Sequence, residues 1–252
     1  MTAPARTLAL FISDLHLQVS HPRTAEAFFR FLAERAVHAD ALYLLGDIFE
    51  YWAGDDDLAD PFNASVAAAL RRVSAAGTAV HWMAGNRDFL VGPGFAAAAG
   101  ATLLAEPHTI TLGGTRIALV HGDAQCTGDD KYMAFRAQVR EPAWQAQFLA
   151  MPLARRKAII AGLREGSRAA HGEKSYEIMD VTAQAVDALH DASGAAVVIH
   201  GHTHRPALHV DGARRRYVLP DWELDEAPLR GGWIAVGVDG VVTRYGLDGQ
   251  VL

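Results

Sequence analysis

Apolar and polar residues fall in blocks along this chain. Short apolar runs at 7–12 (TLALFI), 41–45 (ALYLL), 79–84 (AVHWMA), 116–120 (RIALV) and 195–199 (AAVVI) have the length and composition of buried strands. Each stops at a polar or glycine-bearing turn: SDLH, GDIFEYW, GNRDF, HGD and HGHTH. Between the early strands the pattern shifts to a helical period. In RTAEAFFRFLAERAV the residues Ala27, Phe28, Phe31 and Leu32 share one face. NASVAAALRRVSAAG is rich in Ala, begins at a capping Asn63 and stops at Gly77. Strands alternating with helices predict a layered α/β domain. Further on, PALHVDGARRRYVLP and GWIAVGVDGVVTRYGL read as hairpins turning at Asp211-Gly212 and Asp239-Gly240. Antiparallel strands are therefore expected, in a second sheet.

Residues 126 to about 190 break the alternation and read as helical throughout. From Lys131 to Lys174 there are nine basic residues (Lys131, Arg136, Arg140, Arg155, Arg156, Lys157, Arg164, Arg168 and Lys174) against three acidic ones. The same stretch carries Met133, Phe135, Trp144, Phe148, Leu149, Met151, Leu153, Ile159 and Ile160. A helical insertion that is both basic and apolar, set between two site-like turns, reads as a lid for a ligand with an anionic part and a greasy part. The alternative is an ordinary helical pair that packs its apolar face on the core and solvates its charges.

Composition narrows the function classes. Half of the 252 residues are hydrophobic, which suits one large domain or a domain with an insertion. No linker, repeat or low-complexity tract divides them. A formal net charge of −6 argues against a general nucleic-acid-binding surface. Cys126 is the single cysteine, which rules out an intramolecular disulfide and points to a reducing compartment. No segment resembles a signal peptide, and no run reaches the roughly 18 apolar residues of a membrane span. The expectation is a soluble intracellular protein, at most peripheral to a membrane.

The chemistry gathers at the strand ends. Asp14, His16, Asp47, Asn86, His121, His202 and His204 each follow an apolar strand, where open α/β sheets place their sites. They offer oxygen and imidazole donors without a thiolate, a set that suits Mn²⁺, Fe or Zn²⁺. Seven donors exceed the three or so protein ligands of a single catalytic metal. They suffice for two metals sharing a carboxylate, a pair able to activate water and clamp the oxygens of a displacement at phosphorus. His202 and His204 lie two apart in extended chain and so point to one side. His200 shares that parity, and the spacing alone leaves its role open.

Each motif is weak by itself. Their order (D-x-H, G-D, G-N, H-G, then G-H-x-H, each after a strand) resembles the calcineurin-like metallophosphoesterase superfamily over nearly the whole chain. The resemblance implies a layered α-β-β-α sandwich with a helical insertion cap, the core formed by 1–125 and 191–252 and the cap by 126–190. It implies two Mn²⁺ ions: Asp14, His16, Asp47 and His204 on one, and Asp47, Asn86, His121 and His202 on the other, with His200 in support. Many members place a histidine after the asparagine of the third motif. Here Arg87 stands there, and its fork of donors suits phosphoryl oxygens but cannot supply a proton.

Within the superfamily, SDLHL, GDIFEYWAGDD, GNRDF, HGDAQCTGDDKYMAFR, EKSYEIMDV and HGHTHRPALH look like the UDP-2,3-diacylglucosamine diphosphatase family. That likeness implies hydrolysis of the diphosphate of UDP-2,3-diacylglucosamine to UMP and 2,3-diacylglucosamine 1-phosphate in lipid A biosynthesis, with the cap receiving acyl chains. It assigns catalysis to Asp47, Asn86 and Arg87, and substrate contacts to Asn86, Arg87, Asp129, Ser167, His171, Lys174 and His202, with Asp130 an alternative to Asp129. It further implies a monomer, cytoplasmic and peripherally attached to the anionic cytoplasmic face of the inner membrane, with no nucleic acid partner. A phosphodiesterase or nuclease of the same superfamily, and a metal-binding scaffold, are the competing readings.

Overall fold

Residue parity along the first two strands shows how the layers are built. A computed structural model of the chain describes residues 6–171 and 180–252, the side chains of 165–171 excepted. In β1 (Thr7–Ile12) and β2 (Ala41–Leu45), Ala9, Phe11, Ala41, Tyr43 and Leu45 face a second sheet. Leu10, Ile12, Leu42 and Leu44 face helices instead. Both faces of these strands are covered, so they read as unbroken apolar runs rather than as alternating ones. Burial of each such Leu, Ile or Phe contributes about 1.5–3 kcal/mol before chain entropy is charged against it.

The helices α1 (Pro22–Glu34), α2 (Pro61–Ala75) and α3 (Pro93–Ala99) are the crossovers that carry β1 through β2 and β3 (Ala79–Met83) to β4 (Ala101–Leu104) as parallel neighbours. After β5 (His108–Leu112) and β6 (Thr115–Leu119) come three helices, α4 (Asp130–Arg140), α5 (Pro142–Leu149) and α6 (Leu153–His171), and then α7 (Ala183–Ser193). Strands β7 (Val197–His200), β8 (Ala207–Asp211), β9 (Arg214–Val218), β10 (Gly232–Gly237) and β11 (Val242–Gly246) follow. The first sheet runs β11-β10-β1-β2-β3-β4 and the second β5-β6-β7-β9-β8. Helix α7 covers the outer face of the second sheet, where Leu189 meets Ala118, Val120, Ala195 and Val198. The expected α-β-β-α sandwich is thus observed, and both C-terminal hairpins turn at their Asp-Gly pairs; β8–β9 joins the second sheet as expected, whereas β10–β11 joins the first, because β10 pairs antiparallel with β1.

Two local features differ from the sequence reading. Helix α2 starts earlier: Asp60, not Asn63, is its cap, and accepts from the amides of Phe62 (2.9 Å) and Asn63 (3.5 Å). Pro61 fits the first helical position because its missing N–H would have gone unsatisfied there. Strands β4 and β5 were not expected. They lie at sheet edges, are partly exposed and carry threonines at apolar positions. The β5–β6 turn, Gly113-Gly114, has positive φ at both residues and was the available signal.

Helix α1 lacks a cap of its own. Asp225 supplies it from across the chain, accepting from the amides of Arg23 and Thr24 (both 3.0 Å) and from the Thr24 hydroxyl (2.8 Å). Burial alone would raise the pKa of this carboxyl, but those donors outweigh it and hold it below the ordinary 3.8. We expect Asp225→Ala to cost roughly 0.5–2 kcal/mol in a denaturant melt. Because the folded pKa is the lower one, the difference between parent and variant should be complete above the ordinary carboxylate range and fade as pH falls through the folded value. A difference that persisted undiminished at acid pH would show that it does not come from the ionised carboxylate.

Most of the cations in the helical insertion are used to fasten it. Arg156 is buried and donates to the carbonyls of Ala53 and Met151 and to Asp56. Lys157 reaches Asp57 at 2.6 Å, and Arg164 pairs with Glu50. Arg136 meets Asp123 at 2.8 Å and Glu106 at 3.1 Å, while Arg140 donates to the Gly85 carbonyl at 2.9 Å. Among apolar groups, Phe148 is buried, stacks on Trp144 and packs with the main core. Phe135, Leu149 and Leu163 remain exposed.

Candidate metal centre

The loops after β1 and β2 continue side by side beyond the sheet. Asp14 N donates to Gly46 O (3.0 Å), Leu15 N and His16 N to Asp47 O (2.9 and 3.0 Å), and Leu17 N to Ile48 O (2.8 Å). This brings D-x-H beside G-D. Gly85 after β3, His121 after β6 and His202 after β7 arrive at the same end of the two sheets. The glycines of these motifs are required by proximity. A Cβ on Gly85 or on Gly201 would lie 2.2 Å from a carboxylate oxygen of Asp47 or Asp14.

The predicted donors form two groups. Asp14, His16 and His204 converge in one, and Asp47, His121 and His202 in the other. Asn86 joins the second group, its Oδ1 lying 2.9 Å from His121 Nε2 and 2.8 Å from His202 Nδ1. Asp14 ties the groups together: it accepts from the His202 amide (2.9 Å) and from Ser13 Oγ (2.5 Å), and its Oδ1 is 3.6 Å from His204 Nε2. Asp47 accepts from the Arg87 amide at 2.8 Å and lies 3.6 Å from His121 Nε2.

The backbone here is strained. Asp14, His16, Asp47, His202 and His204 all have φ between 48° and 68°, and they are the only non-glycine residues with positive φ among the described residues. Left-handed backbone costs an L-residue roughly 1–2 kcal/mol, and such outliers persist only where the surroundings over-determine them. Part of the support is Asp88. Its buried carboxylate accepts from the amides of Gly85 (2.8 Å), Ile48 (2.9 Å), Asp47 (3.3 Å) and Phe49 (3.4 Å), binding two motif loops to each other. Burial and then the charge of Asp47 raise its pKa to about 6.

The donors fit divalent cations. His121 Nδ1 faces the Leu45 carbonyl at 2.8 Å, an oxygen that can only accept, which leaves Nε2 as the nitrogen turned to the donor group, 2.9 Å from Asn86 Oδ1. His16 Nδ1 lies 2.9 Å from Glu50, and His204 Nδ1 lies 3.4 Å from Asp221. Their Nε2 atoms face each other at 3.3 Å. Two nitrogens bonded to one ion at about 2.0–2.1 Å are separated by about this distance. The acids around these rings attract positive charge, whether a proton or a metal ion. Burial opposes charging His121, yet Asp47, Asp14, Asp123 and Glu106 push it up to about 9. Burial, reinforced by His121, pushes His202 down to about 4, leaving an unprotonated ring.

Other predicted residues take varied places. Arg87 is half-buried and, among the described residues, no hydrogen bond or ion pair holds its guanidinium. Asp129 is buried and caps α4, accepting from Tyr132 N at 3.0 Å, whereas Asp130 is exposed. Ser167 and His171 lie on α6, but their side chains, and Lys174 altogether, fall outside the described residues. His200 is buried on its own contacts, Gly201 O at 2.9 Å and Arg216 Nη1 at 3.1 Å, and belongs to neither donor group.

Sequence reasoning missed Glu50, Asp88, Glu106, Asp123 and Asp221, the acids around the donors. Asp123 accepts from Tyr132 Oη (2.7 Å) and Arg136 (2.8 Å), and Glu106 accepts from the His121 amide at 2.7 Å. Glu50, Asp88 and Asp123 had a signal, since each lies inside a motif already singled out, GDIFEYW, GNRD and HGD.

A family profile described as calcineurin-like phosphoesterase matches residues 8–206. This chain belongs to the calcineurin-like phosphoesterase family. Within it, a relative from Chromohalobacter salexigens named UDP-2,3-diacylglucosamine hydrolase is 51% identical over 234 residues, covering 91% of this chain and 93% of its own. One from Cellvibrio japonicus with the same name is 52% identical over 217 residues, 84% of this chain and 90% of its own. The solved structure of YfcE, a phosphoesterase from E. coli, aligns with a TM-score of 0.48 at 15% identity, covering 97% of this chain and 96% of that one. The calcineurin-like phosphoesterases are the superfamily that the order of motifs implied.

Proposed function

We propose that this phosphoesterase hydrolyses UDP-2,3-diacylglucosamine to UMP and 2,3-diacylglucosamine 1-phosphate, holding two divalent cations, Mn²⁺ by preference. The observation that carries the reading is the convergence of carboxylate, amide and imidazole donors into two groups, with Asp14 of the first also accepting from the His202 amide of the second. The names of relatives about 50% identical over most of the chain support the substrate. Asp14, His16, Asp47 and His204 hold one ion, and Asp47, Asn86, His121 and His202 the other. Bound there, the two cations supply an activated water and Lewis-acid charge on the phosphoryl oxygens.

The chain's own residues do the rest. Asp47, shared by both ions in this reading, offsets the charge of both sites. Arg87 reaches the phosphoryl oxygens with its unpaired fork and stabilises charge that grows in the transition state. No general acid is required, because a sugar phosphate is a good leaving group. The helical insertion, 126–190, acts as the cap. Its exposed Phe135, Leu149 and Leu163 meet acyl chains or the anionic membrane surface, while Asp129, Ser167, His171, Lys174 and His202 contact substrate. Among the described residues no helix is long and apolar enough to cross a membrane. A monomer attached peripherally to the cytoplasmic face of the inner membrane fits this surface.

The test is UMP release by the Mn²⁺-loaded protein, comparing UDP-2,3-diacylglucosamine with UDP-N-acetylglucosamine. Remote acyl contacts that act in the transition state should raise kcat/KM by a factor on the order of 10² or more. In ¹⁸O-water the label should appear in UMP. Equal kcat/KM for the two substrates would remove the acyl chains from the reading and favour a general phosphodiesterase.

A further inference from the structure

We propose that Arg164 and Glu50 form a positioning relay, which ties the seating of helix α6 to the affinity for the ion held by Asp14, His16 and His204. The proposal rests on the two-cation reading above. Glu50 is brought beside His16 by the paired loops, its amide donating to Leu17 O at 3.2 Å. One of its carboxylate oxygens lies 2.9 Å from His16 Nδ1, and the other accepts from Arg164 Nη2 on the helical insertion. The guanidinium also lies over the Tyr51 ring, 5.5 Å from its centroid. All three side chains of the relay are largely shielded from solvent.

A carboxylate on the far nitrogen of a ligating imidazole fixes both its tautomer and its ring angle. Here that carboxylate is itself held by a cation on α6, so the aim of His16 Nε2 depends on where α6 lies. His204 is steered differently. Its Nδ1 faces Asp221, which is held at 2.5 Å by Arg230, a residue close to it in sequence and outside the insertion. One imidazole of this ion is thus aimed from within the core and the other from the insertion. Linkage then requires reciprocity: if α6 strengthens ion binding, the ion must strengthen the seating of α6 by the same factor.

Lys157 provides the internal control. It fastens the same helix, through Asp57 at 2.6 Å, to an acid outside both donor groups. The experiment titrates Mn²⁺ into the full metal-depleted chain and its variants, reading bound ion by calorimetry and electron paramagnetic resonance. Arg164→Gln and Glu50→Leu should each raise Kd for one ion about tenfold, the lower end of what a lost partner of a ligating histidine costs. The second ion should keep its Kd, and Lys157→Gln should change neither. Hydrogen exchange across residues 153–164 should slow on adding Mn²⁺ in the parent but not in Arg164→Gln. The two relay variants sit at opposite ends, so either one decides the matter if the other does not fold. Unchanged Kd values in both would overturn the relay, as would an equal loss in Lys157→Gln, which would assign the effect to docking in general. A parent whose Mn²⁺ stoichiometry is untouched by His204→Ala would instead strike the two-cation reading.

Discussion

Asp47→Ala should leave a folded protein that has lost nearly all turnover. In the two-cation reading Asp47 is the one side chain shared by both ions. Its removal takes several kcal/mol of transition-state stabilisation, and at 1.36 kcal/mol per tenfold kcat/KM should fall by roughly 10³–10⁴. Metal analysis after dialysis should show fewer than two ions per chain. A second consequence is local. The Asp47 carboxylate also accepts from the Arg87 amide at 2.8 Å, so the loop that carries Arg87 loses an anchor. A variant that kept both ions and full turnover would show that Asp47 bridges nothing.

Arg87→Lys should separate binding of the ions from catalysis. The Arg87 side chain touches none of the seven donors, so both ions should stay, with Kd values within about twofold of the parent. The rate should nevertheless fall by a factor on the order of 10²–10³, the usual cost of one donor aimed at developing charge. Lysine keeps the charge but not the planar fork, so it should recover little relative to Arg87→Met. Neither variant should remove a limb from the pH–rate profile, because in this reading Arg87 stabilises charge and moves no proton. Loss of the basic limb in Arg87→Met would mean that position 87 takes part in proton transfer after all.

Much of this site is legible in the sequence. Strand ends in an α/β sheet converge, and five apolar runs ending in D-x-H, G-D, G-N, H-G and G-H-x-H fix which residues arrive together. The signal was local: each donor stands within a few residues of the strand that delivers it. What stayed hidden was long-range. Glu50 and Arg164 lie 114 residues apart, and Asp225 caps a helix from about 200 residues away, with no spacing rule linking the partners. The charge of the insertion was misjudged for the same reason. Arg136, Arg156, Lys157 and Arg164 looked like cations for a ligand or for solvent, but each is engaged by an acid of the core. The edge strands β4 and β5 escaped because half-exposed threonine-bearing strands carry little apolar periodicity.

Five left-handed residues at the donor positions have an evolutionary corollary. A chain selected only to fold would place glycine or asparagine there, since both accept that conformation at little cost. Aspartate and histidine persist at 14, 16, 47, 202 and 204 only while the chemistry repays the strain. A descendant released from catalysis should therefore drift first at these five positions, and toward those two residues. Its decay would be written in the backbone angles of the ancestral site before the sandwich itself showed any change.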